Sequence, residues 1–189
     1  MSPLRILAAS ATAAALAACA ALPAGEHVPR AAAFDLVGRV AVTHDGRAFT
    51  SGVRWQHLEE HDEIWLLTPT GQALAHILSG PAGATLTGAD QSQYHAADAE
   101  SLTRRALGWE LPVMRLTWWA RGEIVPQGHV EDALRDQQGR LVRLRQDGWQ
   151  VTFIHPAAND QGGRPQRLEL TRPGYQIRMV IDSWRQDSQ

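Results

Sequence analysis

The chain runs to 189 residues, with 18 basic against 20 acidic side chains and a formal net charge of −2. Every basic residue is arginine, which excludes a P-loop lysine and Schiff-base chemistry. The slight acidic balance also excludes nucleic acid as a partner, because such binders carry clustered positive charge.

In chain order, Arg5 is the only charge in residues 1–18, and Ile6 to Ala18 is apolar or small throughout. A positive start, an apolar run and small residues before a cut are the marks of a secretory signal peptide. The run is too short for a membrane span, which needs about 20 apolar residues. Leu16-Ala17-Ala18-Cys19 fits the lipoprotein processing motif: an aliphatic residue, two small ones, and the cysteine that carries lipid. Cys19 is the only cysteine, so an internal disulfide is excluded. The expected modification is a diacylglycerol thioether and an N-acyl chain on Cys19, and no other cofactor is called for. Loss of residues 1–18 removes Arg5 and leaves 17 basic and 20 acidic residues, a net charge of −3.

Residues 19–33 are rich in Ala and Pro without apolar periodicity, as a flexible tether would be. One folded domain is expected over 34–186. Phe34, Leu36, Val40 and Val42 alternate with Asp35, Arg39 and Ala41, the period of a strand with one apolar face. Asp45-Gly46 suits a tight hairpin, and Phe49, Ser51, Val53 and Trp55 share one face of the returning strand. Two more strands are expected at Ile64–Thr68 and Gln72–Ser79, joined at Pro69-Thr70-Gly71, and a weaker one at Ala84–Gly88. At Asp98 the period changes. Ala99, Leu102, Ala106 and Leu107 share a helical face that ends at Gly108, and Val113, Leu116 and Trp119 mark a second helix after Pro112. Strands resume with Leu141–Arg145 and Trp149–Ile154 around Asp147-Gly148, then Arg167–Leu170 and Tyr175–Trp184 around Pro173-Gly174. The pattern predicts an all-β sheet or open barrel, interrupted once by two helices that plug its mouth.

His57-Leu58-Glu59-Glu60-His61 matches the H-x-x-E-H zinc pattern, which works only on a helix, where both histidines share a face. Between two strands the five residues read instead as a solvated polar loop, so neither a metal site nor a zinc hydrolase is expected. No nucleophile elbow or nucleotide-binding motif is present, and no catalytic residue is assigned. Seven tryptophans are the unusual feature: they either pack the core or line an apolar cavity and its lid.

Several segments carry a family resemblance: Phe34-x-Leu-x-Gly38-Arg39-Val40-x-Val42, Arg54-Trp55, Leu67-Thr68-Pro69-x-Gly71-Gln72 and Tyr94-x-Ala96-x-Asp98-x-Glu100-x-x-Thr103. It continues through Gly108-Trp109-x-Leu111-Pro112, Leu116-x-x-Trp119-x-x-Gly122, Gly148-Trp149-x-Val151 and Ile177-x-Met179-x-Ile181-x-x-Trp184. In this order, behind a lipidation motif, the chain resembles the LolB family of outer-membrane lipoproteins. The resemblance implies a mainly β, LolA/LolB-like fold: an open antiparallel half-barrel of about eleven strands with a short helical lid over an apolar cleft. It implies a monomer anchored in the outer membrane and facing the periplasm, which takes acylated lipoproteins from a LolA-like periplasmic carrier and delivers them to that membrane. The absence of Asp at Ala20 agrees with outer-membrane sorting. Inward positions Phe34, Leu36, Val40, Val53, Trp55, Ile64 and Leu66, with Leu116 and Trp119 on the lid, are expected to line the acyl-chain cavity. The family's delivery loop falls on Pro69, Thr70 and Gly71, where Thr70 replaces an apolar residue. The alternative is a lipid-anchored β-domain with a filled interior that scaffolds an envelope assembly.

Overall fold

The computed structural model describes residues 33–157 and 162–185. The expected signal peptide, Cys19 with its lipid, residues 19–32 of the expected tether and residue 186 lie outside the described residues.

In chain order the elements are β1 (Phe34–His44), β2 (Arg47–Leu58), β3 (His61–Leu67), β4 (Ala73–Gly80), β5 (Gly83–Gly88), β6 (Gln93–Ala96), α1 (Ala99–Leu107) and α2 (Val113–Trp119). They continue as β7 (Val130–Arg135), β8 (Leu141–Gln146), β9 (Trp149–Ile154), β10 (Arg167–Arg172) and β11 (Tyr175–Arg185). All eleven strands form one antiparallel sheet in the order β6-β5-β4-β3-β2-β1-β11-β10-β9-β8-β7. Two meanders, β1 to β6 and β7 to β11, are therefore joined in the middle by β1 and β11, while β6 and β7 form the two free edges.

This order dictates where the helices go. The chain leaves the sheet at one edge and re-enters it at the other, so residues 97–129 must cross a whole face. A flat sheet of eleven strands would be roughly 50 Å wide at about 4.8 Å per strand. Leu86 of β5 and Val151 of β9 nevertheless belong to one buried cluster, together with Leu102 of α1 and Leu116 of α2. The sheet is thus curled, and the helices cover its inner face.

Local sequence explains the elements. At both Asp45-Gly46 and Asp147-Gly148 the two residues have positive φ (46° and 74°, 52° and 75°), the backbone that a two-residue hairpin between twisted strands requires. Asp98 caps α1 by accepting from the Ser101 N–H at 2.7 Å. Pro112 is the cap residue of α2.

Three expectations need correction. Strands β6 and β7 were not anticipated: three of the four residues of β6 and all six of β7 are exposed, so neither shows apolar alternation. The loop expected at 57–61 is a turn of two residues, Glu59 and Glu60, with β2 running through Leu58 and β3 starting at His61. Thr68 and Gln72 fall outside the strands and close the 69–71 turn instead, with the Thr68 N–H donating to the Gln72 carbonyl at 2.8 Å.

Candidate functional site

The inner face is apolar because strand parity makes it so. Along β2, Val53 and Trp55 point inward; along β3, Ile64 and Leu66 do; along β11, Ile177, Met179 and Ile181 do. From above, α1 contributes Ala99 and Leu102, the connection to α2 contributes Trp109 and Leu111, and α2 contributes Val113, Leu116 and Trp119. The nine residues expected at the cavity, Phe34, Leu36, Val40, Val53, Trp55, Ile64, Leu66, Leu116 and Trp119, all fall in this one cluster, each 6% exposed or less. They pack against one another rather than around an open hollow. Of the seven tryptophans, Trp55, Trp109, Trp119 and Trp149 are buried, and Trp65, Trp118 and Trp184 are half-buried.

Polar latches hold the helices down. The Trp119 indole donates to Gln146 of β8 at 3.1 Å. The same Gln146 amide donates to the Val125 carbonyl at 2.8 Å and accepts from the Val125 N–H at 3.2 Å. Arg115 of α2 pairs with Asp147 at 3.1 Å. On the connection between the helices, Glu110 pairs with Arg104 of α1 and with Arg172 of β10, the latter at 3.3 Å. Arg172 also lies over the rings of Trp149 and Tyr175, 4.3 Å from each centroid. Burial, the largest influence on Glu110, would raise its pKa, but the hydrogen bonds from Arg104 and Arg172 prevail and hold it below the usual carboxylate range. Glu100 of α1 accepts from the Met114 N–H at 3.0 Å, which joins the two helices, and burial raises its pKa against that bond.

Where the lid meets the sheet there is a groove of about 630 Å³. Its walls include Met114, Trp118 and Val125 on the lid side and His57, Asp62 and Pro81 on the sheet side. None of the nine expected cavity residues borders it. His57 and Asp62 are themselves buried, at 5% and 8% exposure, and sit opposite each other in the β2–β3 register. This pair replaces the solvated loop expected there. His57 is the next inward position after Val53 and Trp55, so extending the period-two count by one step would have placed it. The H-x-x-E-H pattern lies on two strands rather than a helix. Among the described residues, no group of three or more His, Cys, Asp or Glu is arranged to hold a metal ion.

The 69–71 turn is exposed throughout, and the Thr70 hydroxyl is hydrogen-bonded to that of Thr68 at 2.8 Å. The next large apolar side chain along the chain, Leu74, is 37% exposed.

A curled, open antiparallel sheet whose apolar inner face is covered by two short helices defines a class of half-barrel seen in solved structures. One is a domain from Vibrio parahaemolyticus assigned to outer-membrane lipoprotein sorting, similar with a TM-score of 0.54 at 10% identity over 83% of this chain and 86% of that one. Another is a DUF1329 family protein from Desulfovibrio piger, with a TM-score of 0.51 at 8% identity over 85% and 87% of the two chains. These likenesses support the fold alone. Residues 32–184 match the family described as outer membrane lipoprotein LolB. The outer-membrane lipoprotein LolB of Nitrosomonas europaea is 40% identical over 80% of this chain and 72% of its own length. That of Thiobacillus denitrificans is 39% identical over 83% and 82%, and that of Chromobacterium violaceum 38% over 81% of each. The chain belongs to the LolB family.

Proposed function

We propose that this chain is an acceptor in lipoprotein localisation, anchored in the outer membrane through lipid on Cys19 and facing the periplasm. It takes acylated lipoproteins from a LolA-like carrier, shelters their acyl chains against the inner face of the sheet, and releases them to the outer membrane. The reading involves carriage without bond-making, by a monomer and without a cofactor beyond its own lipid. The observation that carries it is the continuous apolar inner face closed by two short helices and the segments that adjoin them; membership in the LolB family supports the same role.

The energetics agree with a shelter that works in transit. An acyl chain of about 15 methylenes gains roughly 12 kcal/mol when removed from water, at about 0.8 kcal/mol each, so cargo cannot cross the periplasm bare. The interior is filled by its own side chains, so entry requires α1 and α2 to move. Helices of 9 and 7 residues have little stability of their own and hold position by packing and by the latches at Gln146, Asp147 and Arg172. Incoming acyl chains replace the apolar contacts that the lid gives up, and the bilayer, which leaves no side chains to displace, then takes the chains downhill.

The packed interior is also what a scaffolding domain without a ligand would have, and a transfer assay separates the two. Membranes bearing the full lipidated chain should accept an acylated lipoprotein from its carrier. Val53→Glu places an unpaired charge on the inner face and should abolish acceptance while far-UV circular dichroism shows the fold retained. Absence of transfer by the unaltered chain would overturn the reading.

A further inference from the structure

We infer that His57 is a polar contact for the acylated amino terminus of the cargo, its Nε2 accepting a hydrogen bond from the amide N–H that joins an acyl chain to the cargo's first cysteine. The inference rests on the carriage reading above and goes beyond it by naming a residue and a ligand atom.

At His57, position and residue type do not match. His57 occupies the last inward position of β2, where parity and the neighbours Val53 and Trp55 would favour an apolar side chain. Its ring stacks on Phe34 with centroids 5.3 Å apart, and 94% of the side chain is buried by the complement of its 6% exposure. Across the hairpin, the Oδ1 atom of Asp62 lies 2.7 Å from the Trp55 indole nitrogen and 2.8 Å from His57 Nδ1. The Trp55 indole can only donate, so Oδ1 is an acceptor here, and the hydrogen of its second bond sits on His57 Nδ1. In the neutral ring the opposite atom, Nε2, is then an acceptor, and it is buried without a hydrogen-bond partner. A buried acceptor left unpaired costs free energy that a bound donor recovers.

The surroundings say which donor. His57 lines the groove beneath the lid, where Met114, Trp118 and Val125 form an apolar strip beside the charged side chains of Arg115, Asp98 and Asp147. Once α1 and α2 have moved, a ligand there presents an N–H to the histidine while its hydrocarbon runs along Met114, Trp118 and Val125. An N-acylated amino terminus has this arrangement, a single amide N–H at the head of a long chain. Asp62 holds the imidazole in the accepting tautomer, with Trp55 as the second anchor of that carboxylate.

The test uses the full chain carrying Cys19→Ala, so that no lipid of its own competes, and two fluorescent triacylated lipopeptides below their micelle concentration. One keeps the amide N–H and the other is N-methylated at that atom. The chain should bind the N–H lipopeptide roughly tenfold more tightly, the worth of about one well-made hydrogen bond. His57→Asn keeps a donor toward Asp62 and removes Nε2, and in this variant the two lipopeptides should bind alike. In the chain with native His57, labelled with 15N-histidine, the Nε2 resonance should move with the N–H ligand and not with its N-methyl counterpart, a readout that stands even if His57→Asn folds poorly. Equal binding of both lipopeptides by the His57 chain, or a preference that survives in His57→Asn, would overturn the role of His57 and leave the carriage reading intact. Binding of neither lipopeptide would overturn the carriage reading itself.

Discussion

The indole N–H of Trp119 and the side-chain carbonyl of Gln146 meet at 3.1 Å with both residues wholly buried, so the last residue of α2 is fixed to the last residue of β8. Gln146 also satisfies the N–H and carbonyl of Val125, which makes one glutamine the clamp for α2 and the segment that follows it. Gln146→Leu leaves the indole and the Val125 backbone unpaired. The expected loss is about 2–4 kcal/mol in urea unfolding, together with faster amide exchange confined to α1, α2 and residues 120–128. A uniform rise in exchange across the sheet would show that the clamp is not local to the lid.

Glu110 makes the lid sensitive to acid. Its folded pKa lies below the ordinary value because two arginines outweigh burial, so its contribution is complete above about pH 4.3 and is lost as pH falls through the folded pKa. Glu110→Gln should therefore cost about 1–3 kcal/mol at pH 7, and the deficit should narrow below pH 4. An equal deficit at both pH values would contradict the assignment.

For Glu100 the sign is reversed. Burial raises its folded pKa, so its contribution is complete below the ordinary carboxylate value and is lost as pH rises through the raised one. Glu100→Gln retains an acceptor for the Met114 N–H and sheds the buried charge. The variant should gain stability relative to the unaltered chain as pH is raised from 4 to 7, read from melting temperatures across that range. A gain that shrinks with rising pH would sink the idea.

Much of the fold was legible in the sequence because most strands bury one face. The alternation of Phe34, Leu36, Val40 and Val42, and of Ile177, Met179 and Ile181, marked the central strands β1 and β11 directly. The Asp-Gly turns marked two hairpins, and Asp98 with Gly108 bounded α1. The edge strands β6 and β7 were silent because nearly all their side chains stay exposed, so no apolar alternation is written into them: Tyr94, Val130 and Leu134 are 40%, 39% and 48% exposed. Backbone pairing and cross-strand polar pairs such as Arg143–Asp132 and Thr85–His95 make these segments strands. Within the site, the apolar inward positions were readable, and His57 was within reach of the same parity carried one step past Trp55. Gln146 and Glu110 look like surface residues until tertiary structure brings Trp119 and Arg172 to them.

Gly38 joins sequence to the central seam of the sheet. It follows an irregularity in the β1–β11 register, and a Cβ there would lie 2.1 Å from the backbone carbonyl oxygen of Val180. A neighbouring strand cannot retreat as a side chain can. Gly38→Ala should cost roughly 1–3 kcal/mol, seen as a lower urea midpoint with unchanged slope, and a neutral effect would mean that β1 and β11 are less closely paired.

Photolabelling tests the central claim most directly. A triacylated lipopeptide bearing a diazirine near the end of each acyl chain is bound to the full chain carrying Cys19→Ala, irradiated, and the adducts are located by mass spectrometry. Adducts should fall on inward residues such as Val53, Trp55, Leu66 and Leu116, which are at most 4% exposed before binding. Adducts confined to exposed side chains such as Leu78, with none on the inner face, would show that the acyl chains never pass beneath the lid.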